Sequence, residues 1–156
     1  MPLTSRDRKD YILRMIEQIR RLVEEMMGKV KEGGAPGELL ARAQQGVGEL
    51  LGPLAGIAPR MDSVTAGQMV GDPDVLGAWA EVTAAEAEAY RAAGDAATAA
   101  SCARRALELV LEAHLRTPAD RADLVALIAR LRPQVDAAAL APRHGDALAD
   151  VPAAPS

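Results

Sequence analysis

The residues with the strongest intrinsic chemistry are few: one thiol, Cys102, and two imidazoles, His114 and His144. A nucleophilic cysteine needs a nearby base and a polar, partly open setting that favours the thiolate. His114 lies twelve residues beyond Cys102, too far to share an adjacent helical turn. Arg104 and Arg105 would lower the thiol pKa if Cys102 were exposed. Ala99 and Ala106, one turn away on either side, instead place Cys102 on a buried stripe of small residues. One Cys and two His cannot build a Cys/His zinc site, and a lone Cys excludes an internal disulfide framework. His114 suits packing or capping near a helix C-terminus, where a cation is favoured. Asp62, Asp72 and Asp74 do not follow the calcium-loop pattern, and no zinc-protease, nucleophile-elbow, P-loop or dinucleotide motif occurs. The expectation is a protein without catalysis, cofactor or metal.

Binding chemistry is the remaining candidate. Ile12, Met15, Ile19, Leu22 and Met26 recur at a/d spacing, and Ile16, Val23 and Val30 widen the stripe. A narrow seam suits a coiled coil and a wide one suits burial in a bundle, so core and homodimer seam both stay open. Charge is distributed unevenly. Residues 1–33 carry 8 basic and 6 acidic residues, residues 34–99 carry 3 and 9, and residues 100–156 carry 7 of each. Such asymmetry can steer a basic helix of one chain toward the acidic middle of another. The net charge of -4 and the shortage of stacking aromatics exclude a dedicated nucleic-acid binder. No run of the sequence is long and apolar enough for a membrane span, and the start has no apolar leader core. A cytoplasmic protein is expected.

Helices must position these groups. The chain has no Phe, and only Trp79, Tyr11 and Tyr90 are aromatic. Ala, Leu, Arg and Glu dominate, so helix formers are plentiful and strand material is scarce. Thr4 and Asp7 suit a helix start, and Gly33-Gly34 ends a helix over residues 5–31. Pro36 opens a second helix that ends at Gly52-Pro53. Gly46 and Gly48 either weaken it or mark a close helix crossing. Ser63 or Thr65 caps a short helix through Val70. Asp72-Pro73 opens the next, which runs to about Ala93. Gly94 stops it, and Asp95 caps a helix to about Leu115. Thr117-Pro118-Ala119-Asp120 opens a last helix carrying Leu124, Leu127, Ile128 and Leu131. The expected organisation is an N-terminal amphipathic helix (1–33), a helical bundle (34–136) and a disordered Ala/Pro tail (137–156).

Residues 80–113 resemble a single tetratricopeptide-repeat hairpin. Ala87, Ala89-Tyr90, Gly94-Asp95, Ala99 and Ala106-Leu107-Glu108-Leu109 occupy the places of that family's small residues, late aromatic and tight turn. The match departs at Thr83, Glu86 and Ala103, where the family carries an aromatic, a Leu and a bulky residue. No second copy occurs 34 residues away on either side, which excludes a long solenoid. The family binds peptides on its first helices, so the resemblance implies a partner face at Glu81, Ala84, Glu88, Arg91 and Ala92. Residues 10–27 resemble, more loosely, the first helix of small bacterial helical proteins, a likeness that implies no activity. The reading as a whole is an all-α bundle of five or six helices that acts as a protein-interaction or assembly module. It self-associates through residues 5–31, with Ile12, Met15, Ile19, Leu22, Met26, Glu81, Glu88 and Arg91 as the partner-binding set. A helical small-ligand or regulatory domain is the alternative.

Overall fold

The computed structural model describes residues 4–118 and 120–152. Those residues form seven α-helices and no strand: α1 (Ser5–Lys31), α2 (Pro36–Leu51), α3 (Ser63–Val70), α4 (Pro73–Ala92), α5 (Ala96–Leu115), α6 (Ala122–Leu131) and α7 (Pro142–Asp150). Four 3-10 turns interrupt the connections. The all-α bundle is therefore as expected, with one helix more than expected. Among the described residues no helix is long and apolar enough to cross a membrane.

Local chemistry sets most boundaries. Thr4 accepts a hydrogen bond from the Asp7 backbone N–H at the start of α1. Asp62, Asp72 and Asp95 do the same for α3, α4 and α5. The turn between α4 and α5 needs a left-handed residue, and Gly94 supplies it at φ 83°. The start of α6 differs from expectation. Thr117 donates its hydroxyl to the His114 carbonyl and so serves the end of α5. Ala119 lies outside the described residues. Helix α6 begins only at Ala122, after Arg121.

Helix α4 is the centre of the molecule. Its residues from Val75 to Ala89 are buried on nearly every side. One face (Ala80, Ala84, Ala87) packs on Ala103, Ala106 and Leu107 of α5, with α3, α6 and α7 around them. Another face (Ala78, Val82, Ala85, Ala89) packs on Ile16, Ile19 and Met26 of α1 and on Leu39 and Ala43 of α2. A helix that is apolar all round must be covered all round, and small Ala side chains permit that cover at short range. Helices α4 and α5 are the most extensively packed pair. Gly46 marks the close crossing of α1 and α2: a Cβ there would stand 2.5 Å from Leu22 Cδ2. Gly48 meets nothing within 4 Å and has no such role.

The tail expected over 137–156 is a correction. Residues 137–139 form a 3-10 turn and α7 follows, with Leu140, His144, Ala147, Leu148 and Val151 buried against the bundle. Residues 153–156 lie outside the described residues. The anchor of α7 is polar. Glu112 of α5 is fully buried and accepts from Arg116 at 2.7 Å, from Arg143 Nε at 2.9 Å and from His144 Nε2 at 2.8 Å. Burial alone would push the Glu112 carboxyl up. Hydrogen bonds from Arg143, Arg116 and His144 outweigh it and hold the group at about 2. Gly67 of α3 makes room for this network, because a Cβ would sit 3.1 Å from Glu112 Oε1.

Candidate interaction surface

Helices α1 and α6 flank the first half of α4 and leave an open trough of about 780 Å³ between them. Its floor is apolar: Ile16, Gly77, Ala78, Leu124 and Leu127. Leu13 stands at its lip, 48% exposed. Gly77 lets α6 come close, since a Cβ there would meet Leu124 Cδ2 at 3.0 Å. The walls are charged. Arg121, at the head of α6, bridges Asp74 of α4 and Asp123, the latter at 2.7 Å. Arg20 of α1 reaches Asp123 at 3.9 Å, and Arg21 pairs with Glu17 at 3.3 Å. The hydrogen bonds it donates to Asp123 and Asp74 hold the Arg121 guanidinium above its ordinary pKa. Five carboxylates (Glu17, Glu24, Asp74, Glu81, Asp123) thus face three guanidiniums, a local charge of -2.

The first three turns of α1 are the second element of the surface. Every residue from Ser5 to Tyr11 is exposed, so this end of the helix overhangs the bundle. Residues 4–14 carry four basic side chains (Arg6, Arg8, Lys9, Arg14) and two acidic ones, a local charge of +2. Tyr11 is 51% exposed on the same segment.

The proposed partner-binding residues divide. Ile19 and Met26 are 2% and 0% exposed and pack inside the bundle against α2 and α4, so they are core and not available to a partner. Ile12, Met15 and Leu22 are half-buried. The stripe is wide because two helices cover it. Glu81 lines the trough and pairs with Arg130 of α6 at 3.6 Å. Glu88 pairs with Arg91, which also donates to Gln134 at 2.9 Å. Helix α6 and the turn after it therefore lie along part of the face expected to be open. Asp74, Gly77, Arg121 and Asp123 were not among the expected residues. The one local hint was Arg121 and Asp123 together at a helix head.

A second groove of about 550 Å³ runs beside α3 and α5 and is mostly spoken for internally. Arg105 stacks over Trp79 at 5.3 Å and donates to Ser63, whose hydroxyl donates to Glu108. Burial pushes the Cys102 thiol up to about 11, with Glu86 and Asp95 adding to it. That direction is opposite to an activated nucleophile. No family model, curated protein or solved structure matches the chain.

Proposed function

We propose that the protein is an assembly module that binds other copies of itself through the face formed by α1, α4 and α6. The observation that supports this most is the overhanging end of α1, with Tyr11 half-exposed on it and Leu13 half-exposed at the lip of an open trough with an apolar floor. Large apolar side chains presented singly are ordinary on a surface, but here Leu13 borders a concavity whose lining carries a net negative charge. The resemblance of α4 and α5 to a tetratricopeptide hairpin agrees with an interaction role. The alternative of a small-ligand domain has less support, because the trough is open and ion-paired along its walls and ligand pockets are mostly enclosed and apolar. The test is the solution mass by light scattering over a concentration series. The 16.4 kDa chain should appear as a dimer or larger species at micromolar concentration. A mass of one chain throughout the series refutes the reading.

A further inference from the structure

We infer that the trough is filled by the overhanging N-terminal end of α1 from a second copy of this chain. The inference rests on the self-assembly reading above and names its contacts. Three features of the structure select this occupant. First, the charges are opposite: residues 5–11, the fully exposed segment, sum to +1 and the trough lining to -2. Complementary potentials speed encounter and penalise wrong partners. Second, the sizes agree. A volume of about 780 Å³ is that of roughly two turns of helix taken as a cylinder about 10 Å across. The segment exposed on every side, Ser5 to Tyr11, is also about two turns. Third, the arm cannot reach its own trough. Residues 5–31 are one continuous helix, and residues 13–24 of that helix form the trough wall. A rigid rod cannot fold back along itself, so the arm docks only on another molecule. A two-fold axis lets two copies exchange arms at once, so that each fills the other.

In this arrangement Tyr11 is the apolar anchor over the trough floor, and Leu13, two residues on and on the opposite side of the helix, stays at the lip of its own trough. Arg8 and Lys9 face carboxylates that the trough's own arginines leave least neutralised, Glu24 and Glu81. Glu24 is exposed, and the pair of Glu81 with Arg130 is long at 3.6 Å.

The test is charge reversal followed by mixing, read by light scattering on full-length chains. One variant carries Arg8→Glu and Lys9→Glu, which turns residues 5–11 from +1 to -3. The other carries Glu24→Lys and Glu81→Lys, which turns the trough from -2 to +2. All four positions are on the helix surface, and far-UV circular dichroism checks that each variant keeps its helix content. Each variant alone should dissociate at concentrations where the parent chain is associated, with a loss of at least tenfold in affinity. An equimolar mixture should associate again, because a reversed arm meets a reversed trough and a normal arm a normal trough. If the parent chain associates but either reversal leaves its mass unchanged, this docking is wrong while the self-assembly reading stands. Failure of the mixture to recover also refutes the docking. A parent chain that is a single copy throughout refutes both.

Discussion

Replacing Glu86 by Gln should stabilise the protein in a strongly pH-dependent way. Glu86 lies on α4, mostly buried between the helices, with Cys102 and Tyr90 as charge neighbours. Burial pushes its carboxyl from the ordinary 4.5 up to about 7. The folded chain therefore keeps a proton that the unfolded chain releases near pH 4.5. Between pH 4.5 and 7 the unfolded state binds fewer protons, so folding stability falls as pH rises and then levels off. The rise to about 7 corresponds to roughly 3 kcal/mol at 1.36 kcal/mol per pH unit. Gln carries no charge at any of these pH values. Its buried amide has its own cost, but that cost is nearly the same at both ends of the range. The quantity to measure is the difference between Glu86→Gln and the parent chain in urea unfolding, followed by circular dichroism at pH 4.5 and at pH 8. The variant should gain about 2–3 kcal/mol relative to the parent on going from the lower to the higher pH. A difference that stays constant within about 0.5 kcal/mol would show that the Glu86 carboxyl is hydrated in the folded state and would refute the argument. Because burial is what disfavours the charge, Glu86→Leu should stabilise further at pH 8.

Two other substitutions test the packing. Glu112→Ala leaves Arg116, Arg143 and His144 without their shared acceptor, and should cost about 3–5 kcal/mol at neutral pH. Hydrogen exchange should show α7 losing protection first, and unchanged protection there would mean that apolar contacts alone hold it. Because the folded Glu112 carboxyl sits at about 2, below its ordinary 4.5, its contribution is complete above pH 4.5 and disappears as pH falls toward 2. The penalty of Glu112→Ala should shrink over that window. Gly48→Ala should raise stability by about 0.5–1 kcal/mol, because a Cβ there meets nothing within 4 Å and Ala is the better helix former. A loss of melting temperature would contradict that account.

The starts of α1, α4 and α5 were legible because their signals are local, whereas α3 is capped by Asp62 and not by Ser63 or Thr65, and α6 starts later than its Thr-Pro signal. Thr4, Asp72 with Pro73, and Asp95 each satisfy backbone N–H groups two or three residues away, and the structure uses them that way. The close crossing at Gly46 was legible as one of two alternatives, and only the neighbour Leu22 decides between them. Helix α7 was not legible. Its apolar residues are sparse and set among Ala and Pro, and its anchors Arg143 and His144 meet Glu112 across 31 and 32 residues of sequence. Periodicity carries no information about such a partner. The same applies to Arg121 and Asp74, which are 47 residues apart. The breadth of the α1 stripe was visible, but its division was not. Ile19 and Met26 are core because α2 and α4 both arrive there, and the side chains of α1 alone do not say so.

The small-residue composition also explains why a trough exists beside α4. A central helix of large side chains would fill the space between its neighbours. Here α4 shows Gly77 and Ala78 on this side, and neither can bridge the gap from α1 to α6. Gly77 draws Leu124 in to the floor, which brings α6 near α4 but not up to α1. The gap must then be walled by long side chains that keep their charges in water, and Arg20, Arg121 and Asp123 do this. Surface ion pairs of this kind contribute little to stability, about 0–1 kcal/mol each. Their larger consequence is a fixed pattern of charge over an apolar floor, the pattern on which the proposed self-docking rests. Enlarging the floor tests that view without touching a charge. Ala78 is buried against α1, so Ala78→Leu overpacks and is a poor probe. Leu13 at the lip is half-exposed, and Leu13→Asn there, which adds no charge, should leave the fold intact while weakening association.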